Sequence, residues 1–173
     1  MTWTIDRIRR AATTIDQLNR TICDMYGITY TATATAPDTW PALLDSLKSD
    51  GLRHREVWNG ASDKTIFDSD EQNFRARAVH DFIHLRYRHD FTPNGERATC
   101  KVQTSIMRRA ANTITYWATF PCVPGAIDDA IALVRAEVAG QVEYNETHGG
   151  AFPVDQLQFA LDYLNGTAPA DMA

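Results

Sequence analysis

Apolar residues recur at three- and four-residue intervals along most of the chain, and the places where that rhythm fails divide it into elements. Ile5, Ile8, Ala12, Ile15, Leu18 and Ile22 form one face of an amphipathic helix that stops near Gly27, with Thr2 or Thr4 as its cap. The Thr-rich run from Ile28 to Pro37 reads as a short strand, an extended arm or a loop. A second helix follows, with Asp38 as cap, Pro41 in its first turn and Gly51 as its stop. Residues 52–68 look irregular, with a turn at Asn59-Gly60. Ser69 opens the strongest helix, which the pattern carries to about Asp90, and Ser69 with Gln72 makes a capping box. Pro93-Asn94-Gly95 breaks the rhythm. Further helices are predicted from about Glu96 to Trp117, from about Ala126 to Asn145 and from Pro153 to Leu164, separated by "FPCVPG" and "HGG".

This pattern predicts a mainly α fold, an irregular bundle of about six helices with no internal repeat and no alternation of strands with helices. One compact domain is expected: residues 1–68 supply N-terminal helices and an irregular segment, 69–165 the helical core, and 166–173 a frayed tail.

Composition narrows the function classes. Net charge is −5 and no long basic run exists, so there is no strong nucleic-acid signal, although Arg7, Arg9 and Arg10 cluster, as do Arg108 and Arg109. Cys23, Cys100 and Cys122 are odd in number and form no CxxC, which suits reduced structural thiols in a cytoplasmic protein. The N-terminus lacks a signal-peptide apolar core, and no run of about 18 apolar residues predicts a membrane span.

Chemistry is legible as polar intruders on apolar stripes. His80 and His84 stand four apart, so both imidazoles lie on one side of their helix, the spacing with which many sites chelate one divalent metal. On the next helix the stripe Cys100, Met107, Ala110, Ile114 extends backwards to Gln103 and Glu96, placing Glu96 on the core side where the chain folds back toward His84. On the helix from Ala126, the residues Ala130, Val134, Glu137 and Gln141 share a side, and a carboxylate on such a stripe is costly unless paired or bound to metal. Each feature has a bland alternative. His-x-x-x-His is often a satisfied core or surface pair, Glu96 an ordinary first-turn acid, and Glu137 a rim residue paired with Arg77 or Arg135. Their conjunction on three helices points to a bundle-core metal site. His89, near the helix end, reads as a cation suited to the dipole.

The string His80-Asp81-Phe82-Ile83-His84 parses in two ways. As H-D-x-x-H it resembles the zincin motif with Asp for Glu; the histidines would bind zinc, Asp81 would activate water, and Asp90, Glu96 or Glu137 would complete the set. As His80-Asp81 it resembles the ligand pair of HD-domain phosphohydrolases, with His54 upstream and Asp128 or Asp129 downstream. A Cys100–His nucleophile is the weaker alternative, since a buried cysteine is usually structural.

Three blocks carry a family resemblance. Phe74, Arg75, Val79, His80, Asp81 and His84, then Phe91, Gly95, Glu96 and Ala98, then Glu137, Gly140 and Gln141 ahead of "HGGAFP" resemble a set found in uncharacterised bacteriophage proteins and inside large phage polyvalent proteins. The resemblance covers roughly residues 71–163 and implies a phage origin and a shared grouping of these His, Glu and Gln residues; it implies no reaction.

The combined expectation is a phage metal-dependent hydrolase acting in the cytoplasm of an infected bacterium, on a small-molecule, nucleotide or peptide substrate. His80, His84, Glu96 and Glu137 are the candidate metal ligands, Asp81 and Glu137 the candidate catalytic acids or bases, and Gln141, Gln103 and Arg77 the supporting residues. Zinc is the first candidate metal, with manganese, iron, cobalt and nickel also suited to such ligands. The alternatives are an HD-type nucleotide phosphohydrolase and a non-catalytic phage interaction or host-takeover protein with a polar or metal core.

Overall fold

The computed structural model describes residues 2–60, 64–116 and 125–167. The expected helix end at Trp117, most of the "FPCVPG" break with Cys122, the side chain of Ile114 and the tail from residue 168 onward lie outside the described residues.

The fold is mainly α. The helices are α1 (Ile5–Tyr26), α2 (Trp40–Asp50), α3 (Asp70–Tyr87), α4 (Pro93–Tyr116), α5 (Ala126–Arg135), α6 (Gln141–Thr147) and α7 (Gln156–Asn165), with a π-helical segment, Ala136–Gly140, fusing α5 and α6 into one rod. Counting that rod once, the described residues hold six helical elements. Helix α1 is the central post and packs on α5, α3 and α4. Its apolar face is covered from Ile8 onward: Ile8, Ile15, Leu18 and Ile22 are all buried, against Ala78, Val79, Phe82, Met107, Ala110 and Leu133 in one continuous core, while Ile5 at its start stays exposed. No helix among the described residues is long and apolar enough to cross a membrane.

Of the three readings of the Thr-rich run, the structure takes the short strand, and it adds a second strand where an irregular segment was expected. Strands β1 (Thr29–Thr33) and β2 (His54–Trp58) pair in parallel, in the register Thr29↔His54 to Thr33↔Trp58, with α2 as the crossover between them. The segment expected to be irregular therefore contains β2. Its inward positions are Arg55 and Val57, both 1% exposed, so an arginine occupies what should read as an apolar position. Arg55 reaches Ser46 Oγ at 3.2 Å and the Gly51 carbonyl, tying the end of α2 to β2.

Other boundaries shift: α7 starts at Gln156 rather than Pro153, capped by Asp155, and three more move for local reasons. Thr39, not Asp38, caps α2, accepting from the Ala42 amide at 3.4 Å, which leaves Asp38 outside the helix. Helix α3 ends at Tyr87 rather than Asp90, because Arg88 adopts φ 58° and closes the helix in a left-handed cap. Pro93-Asn94-Gly95 does not break a helix but starts α4: Pro93 sits where a missing amide costs nothing, and Thr92 accepts from the Gly95 and Glu96 amides. Ser69 caps α3 as expected, while Gln72 reaches back to the Asp68 amide. A buried ion-pair network pins α1 to α3: Arg75 binds both Asp16 and Glu71, and Glu71 also accepts from Tyr30 of β1.

Candidate metal centre

The turn from α3 into α4 spans only residues 88–92, so the two helices return against each other and bring Glu96 to the histidines of α3. His84 Nε2 lies 2.9 Å from His80 Nε2, and Glu96 Oε2 lies 3.2 Å from His80 Nε2 and 3.3 Å from His84 Nε2. Among the described residues this is the only cluster of three or more metal-binding side chains that converges so closely. Ligand nitrogens and oxygens around a tetrahedral zinc, bound at 2.0–2.1 Å, stand about 3.3 Å apart. The triangle matches that spacing on two edges and is slightly tight on the third.

The rings are also oriented from behind. His84 Nδ1 donates to the His89 carbonyl at 2.9 Å, and that carbonyl is aimed inward by the left-handed Arg88 cap. His80 Nδ1 faces Gln103 Oε1 at 3.2 Å. In their neutral form, rings whose Nδ1 atoms donate to these oxygens present both Nε2 lone pairs to each other and to Glu96, the arrangement outer hydrogen bonds enforce on metal-binding histidines. Phe91 packs its edge on His84 with ring centroids 4.9 Å apart, and Thr99 Oγ1 lies 3.3 Å from His84 Nδ1 and 3.0 Å from His89 Nδ1.

Burial gives the triangle a front and a back. The His84 side chain is 0% exposed, while those of His80 and Glu96 are 23% and 21% exposed and line a cavity of about 510 Å³. Asp81, Gln103, Arg77, Glu137 and Gln141 line the same cavity. Burial disfavours charge on His80, yet the Glu96 carboxylate outweighs it and lifts the imidazole to about 9. Burial likewise opposes charge on Glu96, but both imidazoles hold its carboxyl far below the usual range. Burial pushes the Asp81 carboxyl up to about 6 against the pull of His80, His84 and Arg55.

Glu137 is not part of the converging triangle; it stands across the cavity on the π segment. Its Oε2 accepts from Gln141 Nε2 at 3.2 Å, while its Oε1 is buried without a partner, and burial pushes the carboxyl up to about 8. Gly140 lets α7 approach the π segment: a Cβ there would stand 3.0 Å from the Tyr163 ring. Arg77 is engaged by the Trp58 and Gly60 carbonyls and lies over the Trp58 ring, so it anchors the end of β2 to α3.

The other expectations are not assembled. His54 sits on β2 between Thr29 and Thr31, Asp129 pairs with Arg7, and Asp128 with Arg108, so the HD ligand set is dispersed. Asp90 accepts from the Thr92 amide and hydroxyl and braces the start of α4. Cys100 is buried, and burial pushes its thiol up, the reverse of an activated nucleophile. His89 lies beyond the helix; burial and His84 lower its affinity for a proton, so it is not the dipole-stabilised cation expected from its position. Residues missed from sequence are Thr99 and the His89 carbonyl behind His84, and Asp38, Trp58 and Phe152 around the cavity. Only Thr99, three residues after Glu96 on the same face, carried a usable signal.

No family model, curated protein or solved structure matches the chain.

Proposed function

We propose that this chain is a phage metal-dependent hydrolase whose metal is held by His80 Nε2, His84 Nε2 and Glu96. One observation carries the reading. Two imidazole Nε2 atoms face each other at 2.9 Å beside a carboxylate oxygen, while both Nδ1 atoms are satisfied by oxygens behind them. Opposed lone pairs at that distance call for a cation between them, and two imidazoles with a carboxylate suit a divalent ion, zinc first.

A divalent ion there would supply Lewis acidity and make water a nucleophile at neutral pH. The protein's own residues account for the rest. His84 closes the back of the site and excludes solvent. His80 and Glu96 open onto the cavity, where a substrate has room. Asp81, next to His80 and facing the same space, takes a proton from the attacking water. Glu137 holds its proton at neutral pH and can donate it to a leaving group, with Gln141 fixing its orientation.

A second reading has its own support. Glu96 lifts His80 to about 9, so a single proton could bridge the imidazoles and leave a charged, metal-free core in a non-catalytic protein. Metal content separates the two. Untagged protein incubated with zinc and desalted should hold one equivalent of metal; His84→Ala and Glu96→Gln should lose it, and Glu137→Gln should keep it. A parent protein without stoichiometric metal sinks the hydrolase reading and leaves the proton-bridged core.

A further inference from the structure

The walls of the cavity say which substrates the centre accepts. Among the described residues four carboxylates line it, Asp38, Asp81, Glu96 and Glu137, against a single arginine, Arg77, and no lysine. The Arg77 guanidinium is already engaged by the Trp58 and Gly60 carbonyls. Two helix N-termini border the cavity, at Pro93 of α4 and Gln156 of α7; Thr92 takes the Gly95 and Glu96 amides of the first, and the Lys64 carbonyl and Asp155 take the Gln156, Gln158 and Phe159 amides of the second. With Glu137 holding its proton, Asp38 and Asp81 still face the space, and Glu96 offsets half the charge of any divalent ion. Among the described residues these walls hold no free cation for the oxygens of a phosphate ester, whose recognition favours arginine, lysine or open backbone amides; their remaining donors are neutral amides such as Gln156.

The remaining wall is apolar and partly unfinished. Phe91, Phe67, Val138 and Val142 line it, and Trp58 and Phe152 stand at its mouth, 50% and 64% exposed. Large aromatics left half in water at the mouth of a cavity are suited to covering an apolar group of a ligand.

We infer that the substrate is an uncharged acyl compound, a peptide or amide carrying a large apolar side chain that sits between Trp58 and Phe152, and not a phosphate ester. The inference rests on the hydrolase reading of the same centre. Water oxygen bonds to the acyl carbon, the C–N bond breaks, its electron pair stays on nitrogen with a proton delivered from the site, and a carboxylate and an amine leave. The bound substrate brings no charge into the acidic cavity, and the same acidic walls favour release of the product carboxylate.

The experiment uses zinc-loaded full-length protein and three metal-directed probes measured by calorimetry: acetohydroxamate, 3-phenylpropanohydroxamate and phenylphosphonate. The phenyl ring should tighten the hydroxamate about tenfold or more. Phe152→Ala, at an exposed position, should erase most of that gain while leaving acetohydroxamate binding unchanged. Phenylphosphonate should bind more weakly than the aryl hydroxamate, and Asp38→Lys should narrow the difference. In parallel, a mixed peptide library should be cut beside apolar residues, and bis(p-nitrophenyl) phosphate should be left intact. Tighter phosphonate binding, phosphodiester cleavage without peptide cleavage, or an aryl gain that survives Phe152→Ala overturns the inference and leaves the metal centre standing. Failure of acetohydroxamate and phosphonate alike to bind overturns the open metal centre itself, and the inference with it.

Discussion

Replacing Gly95 by alanine sets two physical effects against each other with opposite signs. Gly95 lies in the first turn of α4, where alanine should stabilise a helix by up to about 1 kcal/mol over glycine. A Cβ at this position, however, would fall onto the Asp90 carbonyl oxygen and stand 2.8 Å from its carbon, backbone atoms that cannot swing aside. Ordinary van der Waals contact needs 3.4 Å or more, so α4 must retreat from the 88–92 turn by a substantial fraction of an ångström. Such overpacking costs about 1–3 kcal/mol, which outweighs the propensity gain. The next residue is Glu96, and metal ligands tolerate only about 0.2 Å of displacement, so the retreat should also weaken zinc binding by about tenfold or more. Thermal unfolding of metal-free protein, followed by circular dichroism, should show a Tm lower by about 2–8 °C. Competition against a chromophoric chelator reads the zinc affinity. A Gly95→Ala protein with a raised Tm and unchanged zinc affinity would refute both the close approach and its link to the metal centre.

Three further outcomes follow from the same geometry. Gln103→Leu keeps the volume but removes the acceptor behind His80 Nδ1, and should lower zinc affinity by about 10–100-fold with little change in far-ultraviolet dichroism. Glu137 is an acid whose folded-state value is raised to about 8, so the folded chain holds a proton that the unfolded chain gives up above about pH 4.5. Its stability contribution is therefore intact below about pH 4.5 and is lost as pH climbs toward 8; Glu137→Gln should flatten that decline, and equal Tm losses between pH 5 and 8.5 in both proteins would count against the buried carboxyl. Arg75→Met leaves Asp16, which is only 5% exposed, with Arg20 as its one remaining ion-pair partner at 3.0 Å, and should cost about 1–3 kcal/mol in urea unfolding, whereas Asp16→Leu in the same chain should recover much of it.

The helical frame was legible because α1, α4 and the α5–α6 rod carry their apolar residues at helical spacing, and the candidate triangle was legible because His80 and His84 share one side of α3 and Glu96 is a polar residue on the α4 stripe. Glu137 stood out by the same logic, yet the stripe could not say that it faces the triangle across a cavity without joining it. What stayed hidden depends on tertiary context. Arg55 disguised β2, since a buried arginine reads as a surface residue until its partners at Ser46 and Gly51 are known. With β2 unseen, its pairing with β1 was unseen, and so was the aromatic mouth that Trp58 supplies. The backbone carbonyl of His89 could not have been found from residue types, because it is a main-chain atom placed by one left-handed residue, Arg88.

The π segment between α5 and α6 has a consequence for how this protein can change. A regular helix advances about 100° per residue, so one surplus residue is a phase correction. Upstream of it, Ala130, Leu133 and Val134 pack into the core; at and beyond it, Glu137, Gln141 and Val142 face the cavity. Loss of a single residue between 136 and 140 would restore an unbroken α-helix and turn everything after it away from the metal centre, with the core upstream untouched. The set of side chains on this side of the cavity is thus written in chain length as much as in residue identity, and a one-codon deletion is expected to change that set without changing a residue type.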